Sequence, residues 1–179
     1  ILLDLAAAFP SISHTWIFSV LRARGVSPFF VNAFEKLYTF VGISVVFNGC
    51  LDTQFTATSG IKQGCPASGS IFALALDPFL RLMLARLPSP HHVISACADE
   101  MGIVTRRLRE CLILLAGLAT LLAQATALRL NPGKSIIVPL GKQSVFQLRK
   151  YIHEAIPTLT GISIADHGKY LGFMLGPGG

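Results

Sequence analysis

Asp99 and Glu100 stand side by side between two short apolar runs, residues 93–97 and 101–105. Each run has the length of a β-strand, so the two acids fall where a hairpin would turn. Only nine acids occur in 179 residues, which makes an adjacent pair between apolar strands distinctive. Carboxylates held close together repel unless a proton or a cation lies between them. Hard divalent cations such as Mg²⁺ take carboxylate oxygens and water as ligands. Taken alone, the pair reads as two solvated acids on a surface turn. A distant acid changes that reading. Asp4 lies in Ile1-Leu2-Leu3-Asp4-Leu5, an apolar strand, where a carboxylate is costly to bury unless it is paired or bound to metal. If that strand lies beside the hairpin, the carboxylates of Asp4, Asp99 and Glu100 converge. Such a cluster suits two Mg²⁺ ions about 4 Å apart.

The elements that must carry these groups follow from periodicity and turn chemistry. Residues 1–5 read as a buried strand, broken at Pro10-Ser11. Ser13 is a candidate N-cap for a helix with Trp16, Ile17, Val20 and Leu21 at helical spacing, ended by Gly25. Pro28 opens a second helix, with Val31, Phe34, Leu37 and Tyr38 expected on one face. Asn48-Gly49 joins strands 43–47 and 51–56 as a hairpin. Residues 59–69 hold three glycines and a proline, a loop whose backbone can approach a ligand closely. Residues 70–87 read as an apolar helix with a kink or break at Pro78, and 88–92 as a turn. Then come the acidic hairpin at 93–105, a helix at 107–128 and a strand at 135–139 after the turn Asn131-Pro132-Gly133. An amphipathic helix at 143–156 and a last strand or half-hairpin at 170–175 complete the chain.

Five stretches in order now carry a resemblance. They are Asp4-Leu5 through Phe9-Pro10 and on to His14, Ser59-Gly60-Ile61-Lys62-Gln63-Gly64-Cys65-Pro66-Ala67-Ser68, Cys97-Ala98-Asp99-Glu100, Leu130-Asn131-Pro132-Gly133-Lys134-Ser135, and Lys169-Tyr170-Leu171-Gly172. Together they resemble the palm of reverse transcriptases, most closely those of non-LTR (LINE-type) retrotransposons. The resemblance implies an α+β polymerase palm with part of the fingers: an antiparallel sheet carrying the carboxylates, packed on helices. It implies RNA-directed DNA synthesis with two Mg²⁺ ions, or Mn²⁺ in their place, held by Asp4, Asp99 and Glu100, with the Leu5 carbonyl also touching metal. Phe9 would exclude the 2′-hydroxyl of the incoming nucleotide. Gln63 and Gly64 would position nucleotide or template. Lys134 would stand near the leaving pyrophosphate, and Tyr170, Leu171 and Gly172 would grip the primer. The implied partners are an RNA template, a DNA primer and dNTP. Glu100 departs from the pattern, where a second Asp is usual, and Cys97 replaces the usual aromatic.

Composition agrees with a piece of something larger. Hydrophobic residues make up 52% and charged residues 13% of the chain, against a usual ~25% charged. Residues 1–179 are expected to be one reverse transcriptase domain fragment without the upstream fingers motifs and the thumb. The missing fingers, thumb and an endonuclease domain would belong to the same polyprotein. The net charge of +6 permits phosphate binding. Cys50, Cys65, Cys97 and Cys111 show no C-x-x-C spacing, which speaks against a zinc site or a disulfide framework. With no signal-peptide pattern, the expectation is an intracellular protein, in nucleus or cytoplasm, not secreted. Residues 111–128 carry no charge and lie at the low end of the length range of a membrane span, but a buried palm helix explains the same run, and no membrane is expected. A descendant that has lost catalysis and binds nucleic acid or protein is the rival reading, favoured by Glu100 and Cys97.

Overall fold

The computed structural model describes residues 1–39, 42–87, 90–141 and 144–177, with 52–54 through their backbone alone. Pro88-Ser89 of the expected turn, Gln143 at the head of the amphipathic helix, and Gly178-Gly179 lie outside the described residues. The chain begins with β1 (Leu2–Ala6), the single turn α1 (Ala8–Ser11), α2 (His14–Ala23), α3 (Pro28–Tyr38), β2 (Gly42–Phe47), β3 (Cys50–Thr56) and α4 (Ser68–Arg86). It continues with β4 (His92–Cys97), β5 (Glu100–Thr105), α5 (Leu108–Thr126), β6 (Arg129–Leu130) and β7 (Ile136–Ile137). The last elements are α6 (Val145–Ala155), β8 (Ser163–Ile164), β9 (Gly168–Tyr170) and β10 (Phe173–Leu175). Two compact units divide it: Ile1–Ala8 with Phe79–Gly179, and Phe9–Pro78.

The first unit is built on a sheet of order β4-β5-β1-β7-β8, with β6 also paired to β1. The strands that carry the acids, β4, β5 and β1, are antiparallel, as expected, whereas β7 and β8 form a parallel pair. β1 is not buried on both faces. Leu3 and Leu5 are buried while Leu2, Asp4 and Ala6 are half-exposed, and β5 alternates likewise with Met101 and Ile103 inside. Period-two alternation is what an antiparallel sheet with one covered face requires. In α5 the buried residues Cys111, Leu112, Leu115, Leu118 and Leu122 recur every three or four positions, leaving Ile113 and Leu121 exposed. That stripe is the pattern of a helix packed on one side. Burial pushes the Cys111 thiol up to about 11. By length and composition alone, α4 and α5 are both apolar enough to cross a membrane.

In the second unit the Ser13 hydroxyl caps α2 by accepting from the Trp16 N–H, and Gly25 ends it with φ of +71°. Pro28 opens α3, which buries Val31 and Tyr38. Leu37 is 53% exposed, against the expectation, because six residues past Val31 lie about 240° round the helix. β2 and β3 pair across Asn48-Gly49, both at positive φ, the backbone of a type I′ turn. α4 begins at Ser68, two residues earlier than expected, and runs unbroken through Pro78. Ala75 and Leu76 are buried before that proline, and Phe79 and Met83, which belong to the first unit, are buried after it, so burial on both sides offsets the lost hydrogen bond.

Candidate active site

The β1–β5 register sets Asp4 directly opposite Glu100. Residues directly opposite in an antiparallel pair project to the same face, with Cβ atoms about 4.5–5.5 Å apart. Asp99 precedes Glu100 in the two-residue turn between β4 and β5, where Ala98 takes a φ of 52°. The Asp99 carbonyl accepts from the Leu5 N–H at 3.2 Å, which ties the turn to the strand end beyond Asp4. All three acids are half-buried. The strand and the hairpin expected from the sequence are therefore neighbours, and Asp4 and Glu100 share one face, with Asp99 next to them in the turn.

The fourth motif holds the Asp4 peptide from the other side. The Asn131 N–H donates to the Asp4 carbonyl at 2.8 Å, and the Asp4 N–H donates to the Ser135 hydroxyl at 3.2 Å. That hydroxyl donates to the Asn131 carbonyl at 2.8 Å, and Ser135 is only 1% exposed. Asn131 and Ser135 are thus site residues for which the sequence reading had no role. Their signal was present: a polar turn directly before an apolar strand. Lys134 lies between them in the chain with its side chain exposed.

The fifth motif lies over the same face. Leu171 and Gly172 turn β9 into β10 with φ of 48° and 87°. The Tyr170 ring packs on β5 at Gly102, where a Cβ would lie 3.4 Å from it. The Tyr170 hydroxyl donates to the Ser95 hydroxyl at 3.3 Å, and the Leu171 N–H donates to the Glu100 carboxylate at 2.9 Å.

Phe9, Gln63 and Gly64 belong to the second unit and take their places within it. Phe9 stacks on the buried Phe72, with ring centroids 4.5 Å apart and planes 18° apart. The Ile61 N–H donates to the Phe9 carbonyl at 2.7 Å, and the Gly60 N–H to the Ile12 carbonyl at 2.8 Å. The glycine-rich loop thereby runs alongside the end of the first motif. Gln63 is exposed, and Gly64 takes a φ of +83° with open space around it.

The oxygen donors suit a hard divalent ion in chemistry, but the expected convergence of all three carboxylates is not met, since the register opposes Asp4 to Glu100 alone. Among the described residues, no three His, Cys, Asp or Glu side chains gather closely enough to hold a metal. The Glu100 carboxylate is already directed to the Leu171 N–H.

A family model described as "Reverse transcriptase (RNA-dependent DNA polymerase)" matches residues 1–175. The chain is 31% identical, over 146 residues and 74% of its length, to "Transposon TX1 uncharacterized 149 kDa protein" of Xenopus laevis. It is 28% identical, over 95% of its length, to "Retrovirus-related Pol polyprotein from type-2 retrotransposable element R2DM" of Drosophila melanogaster. It is 26% identical, over 96% of its length, to the corresponding type-1 element R2 polyprotein of Bradysia coprophila. The chain spans 11%, 17% and 20% of the lengths of these three relatives.

Proposed function

This chain belongs to the reverse transcriptase family, and from that premise we propose that it is the palm, with part of the fingers, of a retroelement RNA-directed DNA polymerase. The observation that carries the proposal is the register of Asp4 opposite Glu100 beside Asp99, in a chain that matches the family along residues 1–175. Reverse transcriptases use divalent metal ions; Mg²⁺, as a pair of ions, would activate the primer 3′-hydroxyl and offset charge on the leaving pyrophosphate.

The chain's own residues divide the remaining work. Asp4 and Asp99 supply carboxylate oxygens, Glu100 adds charge to the same face, and the Leu5 carbonyl completes the donors. Asn131 and Ser135 fix the Asp4 peptide, so the carboxylate needs little reorganisation when substrate arrives. Phe9 closes the space a 2′-hydroxyl would need. Gln63, in a loop shaped by Gly64, positions the nucleotide with its amide. Lys134 brings a positive charge, or a proton, to the departing pyrophosphate. Tyr170, Leu171 and Gly172 hold the primer end. The RNA template, DNA primer and dNTP are the partners, with the rest of a polyprotein supplying fingers and thumb inside the cell.

Primer extension on an RNA template by the full-length protein tests this reading. Asp99→Asn keeps the shape and removes one charge. It should lower the rate by about 10²–10³ or more, the usual effect of losing one preorganised electrostatic group. Extension by the Asn variant at the unsubstituted rate would sink the assignment. No extension by either protein, with nucleic-acid binding retained, would favour the descendant that has lost catalysis.

A further inference from the structure

The turn between β9 and β10 has a backbone donor that its own hairpin leaves over. In a two-residue hairpin the flanking pair, here Tyr170 and Phe173, closes the ladder. The N–H of the first turn residue points away from that ladder and is free to bond another acceptor. That residue is Leu171, at a φ of 48°. Such backbone is what a two-residue hairpin turn requires. The acceptor is Glu100, whose carboxylate takes the Leu171 N–H at 2.9 Å across 71 residues of chain. A hydrogen bond to an ionised acceptor is roughly twice as strong as a neutral one. Tyr170 makes a second attachment on the same face, through Ser95 and against Gly102.

We propose that Glu100 is a positioning residue: its carboxylate fastens the Leu171-Gly172 turn to the acid-bearing face and so sets where the hairpin holds the primer end relative to Asp4 and Asp99. The inference rests on the polymerase reading for its consequence but not for its geometry. It also accounts for glutamate at this position. An aspartate is shorter by one carbon–carbon bond, about 1.5 Å. From the same backbone it would leave the Leu171 N–H beyond hydrogen-bonding range. The longer side chain is matched to this hairpin.

Two variants of the full-length protein test the proposal. Glu100→Asp keeps the charge and loses the reach, whereas Glu100→Gln keeps the reach and an acceptor oxygen without the charge. Amide hydrogen exchange over residues 170–172 reads the tether directly. The Asn131 amide, bonded to the Asp4 carbonyl, reports in the same samples that the sheet is intact. Glu100→Asp should speed exchange at Leu171 by about tenfold and raise the primer KM by a similar factor, with the nucleotide KM moved less than about twofold. Glu100→Gln should speed Leu171 exchange less than Glu100→Asp does, because the acceptor stays in reach without its charge. Unchanged Leu171 exchange in Glu100→Asp would overturn the proposal. So would faster exchange in Glu100→Gln than in Glu100→Asp, because the loss would then follow the charge and not the reach. If the unsubstituted protein does not extend a primer, the polymerase reading fails, and the exchange pattern still decides the tether.

Discussion

Phe9 joins two demands in one side chain. Its ring is stacked on Phe72, which is 1% exposed, so part of it belongs to the core of the second unit. In the proposed polymerase it also closes the space beneath the sugar. Phe9→Ala should therefore have two effects. Stability should fall by about 2 kcal/mol, less than for a fully buried Phe, because Phe9 is only half-buried. Discrimination against ribonucleotides should weaken as well. Thermal melting reads the first effect, and competition between rNTP and dNTP in single-nucleotide incorporation reads the second. A melting shift with unchanged discrimination would return Phe9 to a purely structural role.

At the scale of elements, the loop before α4 depends on two glycines for different reasons. Gly60 has a φ of +91°, and a Cβ there would lie 2.7 Å from the Pro10 carbonyl oxygen. Gly64 has a φ of +83° with nothing within 4 Å of its would-be Cβ. Gly64→Ala should cost only the backbone term, about 1–2 kcal/mol. Gly60→Ala should cost more, since backbone must also move and strain the bonds from Gly60 to Ile12 and from Ile61 to Phe9. Urea unfolding of the two variants checks the order, and equal losses would contradict the close approach to Pro10. The same loop hands directly into α4, where the Ser68 hydroxyl donates to the Lys62 carbonyl at 2.6 Å. That bond is a reason the helix starts at Ser68 and not at Ser70.

Over the whole molecule, fifteen Lys and Arg face nine acids, giving +6. A polymerase that tracks a primer–template duplex displaces condensed counterions as it binds. Affinity of the full-length protein for such a duplex should fall by at least about tenfold between about 50 and 200 mM KCl, with a linear log–log slope. Fluorescence anisotropy measures it, and a flat response would argue against backbone contacts as the main source of affinity. The uncharged run of α5 belongs to the same scale. Its buried stripe of Cys111, Leu115, Leu118 and Leu122 gives it a role in the core of the first unit.

Much of this protein was legible locally. The Ser13 cap, Pro28 at the start of α3, the Asn48-Gly49 turn and the hairpin bearing Asp99 are each set by chemistry among residues a few positions apart. The order of the motifs was enough to point to the family. Other features depended on segments far apart in the chain. The opposition of Asp4 and Glu100 is a matter of strand register, and the two-residue strands β7 and β8 are too short to show a period. The bond from the Asp4 N–H to Ser135 joins residues 131 positions apart, and that from Leu171 to Glu100 joins residues 71 apart. Such bonds follow from where packed strands bring a spare donor and a spare acceptor together, which no local pattern encodes. The sequence determined which groups were available for chemistry. Tertiary structure decided which of them meet, because only the folded sheet sets their separation.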